Sequence, residues 1–241
     1  MAKLKVPSLQ HLARIWNPDP MAIARTLVAL TKNSPTFSYS PLYDAVRDMC
    51  LFGIPEEDII NGFQQRIARP QVRDNFVGLM PLIASYFRDE RPAFFHDVAP
   101  RIYPVSRNVH IPFSPPFFYG GGGHIQFPWL IFWRHNPLVG QRLSLFVSVV
   151  DKVLLQDPDL ESATFKIVDF SAPTRKAERE LKVINAAEVP RVSSAELREM
   201  LDIFAEGYRL AIEHVTSNAE GHASANKKPL DQGGRQPGLF D

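Results

Sequence analysis

Ile125-Gln126-Phe127-Pro128-Trp129-Leu130-Ile131-Phe132-Trp133 is the stretch on which the fold turns. Ile125, Phe127, Trp129, Ile131 and Trp133 recur at every second position, the period of a β-strand with one aromatic-aliphatic face. Phe117, Phe118 and Tyr119 precede it across Gly120 to Gly123. The two runs therefore read as a hairpin with an enlarged glycine loop. Pro112 and Pro128 lie within the strand-like stretch from Ile102 to Trp133, and a proline cannot donate to a ladder, so each segment is expected at a sheet edge or a bulge.

On the N-terminal side, the chain reads as helices separated by prolines. Ser8 to Trp16 is a short amphipathic segment, and Met21 to Lys32 a second helix with Ile23, Leu27, Val28 and Leu30 on its apolar side. Ser40 as N-cap and Pro41 at the first helical position open a third, which Gly53 closes. Pro55 opens a fourth, whose first turn holds Glu56, Glu57 and Asp58. Those three acids would face phosphate if the pair around Gly53 were a DNA-reading helix-turn-helix, so a small helical subdomain is expected instead. Arg73 to Phe87 forms one more helix, with a kink or break predicted at Pro81.

On the C-terminal side, Leu143, Phe146, Val147, Val150 and Leu154 share a helical face. Phe165 to Phe170 and Glu180 to Ile184 read as two strands joined by a polar loop. Ser193 and Glu196 stand in capping-box relation before a helix whose apolar stripe is Leu197, Leu201, Phe204, Tyr208 and Ile212. The periodicity stops near Thr216. The expected class is α+β: an N-terminal helical segment packed with a mainly antiparallel sheet and two helices in the C-terminal half. The expected organisation is a helical subdomain over 1–90, an α+β region over 91–215 forming one globular unit with it, and a flexible tail over 216–241.

Composition narrows the function classes. Among 241 residues, 45% are hydrophobic and 22% charged, values of a folded globular chain. The 27 basic and 26 acidic side chains leave a net charge of +1, so the total supplies no general field for nucleic acid, although a local basic patch is compatible with it. Cys50 is the single cysteine, which excludes an intrachain disulfide and a paired-thiolate zinc site. With no secretory h-region and no long apolar run, the expected location is the cytoplasm, with no membrane partner.

The candidate chemistry is sparse. Gly120 to Gly123 lack the Gly-Lys-Ser/Thr of a phosphate loop and are followed by His124 and a strand, which favours a permissive turn. Of the seven histidines, His110 and His124 could approach across the hairpin near Asp97 or His135, but none pairs at helical metal-site spacing, and no metal or other cofactor is expected. Trp133, Arg134, His135 and Asn136 end the aromatic strand, a combination that can stack bases or bind a partner as well as close a core. Asp169 with Glu180-Leu181-Lys182 places two carboxylates and a lysine on adjacent strands, an arrangement able to hold a divalent cation and activate water. It resembles the PD-(D/E)xK nuclease pattern, with Asp159 as another first acid. That resemblance implies a metal-dependent or degenerate nuclease whose weak catalytic candidates are Asp169, Glu180 and Lys182.

The last six residues are Gln236-Pro237-Gly238-Leu239-Phe240-Asp241. Gln236, Leu239 and Phe240 resemble the short motif by which bacterial replication and repair proteins dock on the sliding clamp, with Pro237 in place of the usual leucine. The resemblance implies a protein partner for the tail. In physical terms, an extended segment buries Leu239 and Phe240 in an apolar groove and anchors Gln236 by hydrogen bonds. The first expectation is accordingly a non-enzymatic interaction protein, and the second a nuclease.

Overall fold

The structure, a computed structural model, describes residues 4–32, 37–154, 157–158, 160–174 and 176–225. Five helices lead: α1 (Leu9–Ile15), α2 (Pro20–Lys32), α3 (Ser40–Phe52), α4 (Glu56–Arg66) and α5 (Pro70–Glu90). Strands β1 (Phe94–His96), β2 (Arg101–Ser106), β3 (Val109–Phe113), β4 (Phe118–Gly121) and β5 (His124–Ile131) follow. Then come α6 (Gln141–Leu154), β6 (Thr164–Asp169), β7 (Lys182–Asn185) and α7 (Ser194–Ala225). The class is α+β.

The main sheet has the order β1-β4-β5-β6-β7, and β2 with β3 forms a separate two-stranded ribbon. Three of the four junctions in the main sheet are antiparallel. The exception is β5 with β6, which run parallel because α6 carries the chain back between them. Pro128 is accommodated locally: β4 pairs with β5 only through Gln126, so Pro128 has a strand on one side alone. Pro112 sits on the ribbon, and a register shift lies beside Pro104.

Both faces of β5 are buried, which corrects the expectation of one apolar face. Phe127, Trp129 and Ile131 join a core with α1, α2, α6, α7 and the ribbon. Leu130 and Phe132 join a second core with α3, α4 and α5. The sheet is thus a partition between two helical layers, and residues 1–90 contribute to both sides of it.

Other local readings also shift. The glycine loop is a two-residue turn, Gly122-Gly123, with φ of 60° and 80°, a backbone that suits glycine. Gly120 and Gly121 belong to β4, where a Cβ on Gly121 would lie 3.1 Å from the Tyr119 ring and 3.3 Å from the Glu90 carbonyl. Helix α5 runs through Pro81 without a break, the proline standing on the exposed side. Tyr39 rather than Ser40 precedes α3, while Gly53 ends it in the left-handed region, φ 66°. Ser193 caps α7 by accepting from the Glu196 amide at 3.2 Å. Helix α7 reaches Ala225, beyond the end of its apolar stripe.

Candidate functional site

The parallel pair β5/β6 creates a local break in the sheet's pattern, and open sheets tend to bind ligands at the carboxyl ends of such strands. There the chain leaves β5 at Ile131 and β6 at Asp169, and residues 170–174 and 176–181 lie between β6 and β7. Ala172 donates its amide to the Arg134 carbonyl at 2.9 Å, and Glu180 donates its amide to the Ser171 carbonyl at 3.0 Å. The result is a pair of adjoining clefts of about 560 and 630 Å³ that share Asn75, Arg134 and Arg179.

Arg179 is half-buried and anchored on three protein acceptors, which leaves two of its five N–H donors. It donates from Nη1 to the carbonyls of Trp133 (3.0 Å) and Phe170 (2.8 Å), and from Nη2 to Asn75 Oδ1 (2.5 Å). Burial lowers its pKa first, and the neighbouring Arg134 lowers it further, against Tyr39 and the Asp169 carboxylate. It nevertheless stays charged, as arginines in proteins do. Arg134 is exposed and donates to the Ala177 carbonyl at 2.6 Å. Among the described residues neither guanidinium forms a direct ion pair with a carboxylate.

The remaining walls come from the N-terminal helices. Tyr39 is hydrogen-bonded to Asn75, and burial raises its pKa against the opposing pull of Arg179, Asn75 and Arg14. Its ring lies 5.2 Å from Phe37, 5.9 Å from Phe76 and 5.5 Å from Phe132. Arg69, Pro70, Gln71 and Val72 line one cleft at the start of α5, where the first turn holds no acidic residue and no side chain caps the amides. The orphan amides of that turn add positive potential. Asp74 and Glu178 are the acids of the lining, against Arg69, Arg134, Lys176 and Arg179. Asp74 lies 3.6 Å from Arg73. The balance is a local basic cleft with an aromatic side.

The candidates named from sequence fall as follows. Asp169 is buried and opposes Lys182 in the β6/β7 register. Its carboxylate accepts from Asn136 Nδ2 at 2.8 Å and from the Ser171 amide at 2.9 Å. Glu180 and Lys182 are half-exposed and pair with each other at 3.4 Å. Each of these carboxylates therefore has protein partners, and among the described residues no group of three or more His, Cys, Asp or Glu is arranged to hold a metal ion. Asp159 and the terminal Gln236, Leu239 and Phe240 lie outside the described residues. Asp97 pairs with Arg47, while His110, His124 and His135 are exposed.

From the cluster at the end of β5, Arg134 reaches the cleft. Trp133 faces away from it, with Arg14 over its ring at 5.2 Å and His11 at 5.7 Å, and Asn136 holds Asp169. Arg179 and Asn75 escaped sequence reading. Arg179 sits in a mixed-charge run that resembles any solvated loop, and Asn75 reaches the cleft only because α5 crosses the sheet. Among the described residues no helix is long and apolar enough to cross a membrane. No protein-family model matches the chain, and no curated protein matches it either.

Proposed function

We propose that this chain is a non-enzymatic interaction protein with two points of attachment. Its body holds an anionic group of a partner between Arg134 and Arg179, and its terminal Gln236, Leu239 and Phe240 dock on a sliding clamp. The observation that carries the first point is the pair of adjacent guanidiniums, between which no carboxylate of the described residues forms a bridge. Like charges held together in a partly buried cleft repel, and an anion placed between them relieves that repulsion while accepting charge-assisted hydrogen bonds. The fork of Arg134 is the adaptable arm. Arg179, anchored on two carbonyls and Asn75, is the fixed one.

Pyrophosphate tests the body. It should raise the melting temperature of the full chain by a few degrees and leave an Arg134→Gln variant unmoved; equal shifts in both proteins remove the cleft from the proposal. Arg134 is exposed, so the variant keeps its fold. The tail rests on its resemblance to the clamp motif and on the apolar Leu239-Phe240 pair, worth about 3–6 kcal/mol of burial before ordering costs. A labelled peptide of residues 230–241 should bind purified sliding clamp and lose that binding when Leu239 and Phe240 become alanine. Unchanged binding by the double variant withdraws the docking role.

A further inference from the structure

Resting on the anion-binding reading of the cleft, we infer that its ligand is a single-stranded nucleic acid, with phosphates on the arginines and an unstacked base on the Phe37–Tyr39 wall. Three observations converge. First, the two clefts join through Asn75, Arg134 and Arg179, and volumes of about 560 and 630 Å³ are far larger than an inorganic anion requires. Second, one of them runs from the arginines onto aromatic surface. Phe37 is 41% exposed, stands edge-on to Tyr39 at 5.2 Å, and lines the cleft together with Arg69, Arg134 and Arg179. Third, the amide-bearing start of α5 continues the positive lining beyond the arginine pair.

A row of guanidiniums beside an accessible ring is the combination that tracks a strand's backbone while stacking its bases. A duplex offers its phosphates but keeps its base faces covered, so the aromatic side of the cleft selects the open strand. The overall charge of +1 does not oppose this reading, because within the lining Arg69, Arg134, Lys176 and Arg179 outnumber the acids Asp74 and Glu178.

The test uses the full chain and a labelled oligothymidylate of about twelve nucleotides followed by fluorescence anisotropy. The strand should bind more tightly than a duplex of equal length, and pyrophosphate should compete. Arg134→Gln should weaken binding about tenfold and flatten the slope of log K against log salt by about 0.7, the loss of one phosphate contact. Phe37→Ala should also weaken binding about tenfold but leave that slope unchanged, and an abasic strand should bind the wild type as weakly as thymidylate binds this variant. Both side chains are exposed, so neither change threatens the fold. Duplex binding as tight as the single strand, or indifference to Phe37→Ala, overturns the inference. A response to pyrophosphate without any binding of the strand overturns it too, while leaving the anion reading intact; silence toward both ligands removes the two together.

Discussion

The guanidinium of Arg179 ties the ends of β5 and β6 together before it meets any ligand, since two of its hydrogen bonds go to backbone carbonyls of those strands' extensions. Such an anchored cation loses little conformational freedom on binding, which is what makes it a good anion receptor. His11 illustrates the opposite use of position. Burial, and then Arg14, lower its pKa from the ordinary 6.5. The unfolded chain therefore takes up a proton near pH 6.5 that the folded chain accepts only at lower pH. Stability is greatest above that value and declines as the pH falls through His11's lowered one. Denaturant melts at about pH 7.5 and about pH 5.5 should show this loss, and His11→Gln should reduce it. At this scale the sequence disclosed Arg134, because an arginine after an aromatic strand is a visible combination. It did not disclose Arg179 or Asn75, whose meaning depends on partners 46 and 104 residues away.

Gly207 of α7 sits directly against α2. A Cβ there would stand 2.7 Å from Ile23 Cβ and 2.8 Å from the Pro20 carbonyl. Alanine is favoured over glycine in a helix by about 1 kcal/mol, yet here the clash with backbone dominates. Gly207→Ala should lower stability by about 1–3 kcal/mol. Gly62→Ala in α4, where nothing lies within 4 Å, should instead gain up to about 1 kcal/mol. Thermal melts of the two variants should move in opposite directions. The helices and strands themselves were legible because period and punctuation are local. What was not legible was their mutual arrangement: the parallel β5/β6 pairing depends on α6 crossing over, and the continuity of α5 through Pro81 depends on its long buried face of Phe76, Leu79, Met80, Ile83 and Phe87.

For the whole molecule, the decisive property is that one sheet separates two cores. Leu130 and Ile131 are adjacent on β5, 3% and 2% exposed, and belong to different cores. Leu130→Ala and Ile131→Ala should each cost about 2–5 kcal/mol by denaturant unfolding. In a sheet with one wet face, only one of the two would. Alternation alone suggested the latter because Gln126 and Pro128 interrupt the second face, hiding Leu130 and Phe132 behind them.

The indole of Trp16 donates to the Met200 carbonyl at 3.0 Å, and the Tyr208 hydroxyl donates to the Leu4 carbonyl at 3.2 Å. These bonds join positions 184 and 204 residues apart. During synthesis, α2 must wait for α7 to emerge before its apolar face is covered, leaving Ile23 and Leu27 open to chaperones for most of translation. A ribosome stalled before α7 would hold a nascent chain whose second helix still lacks its lid.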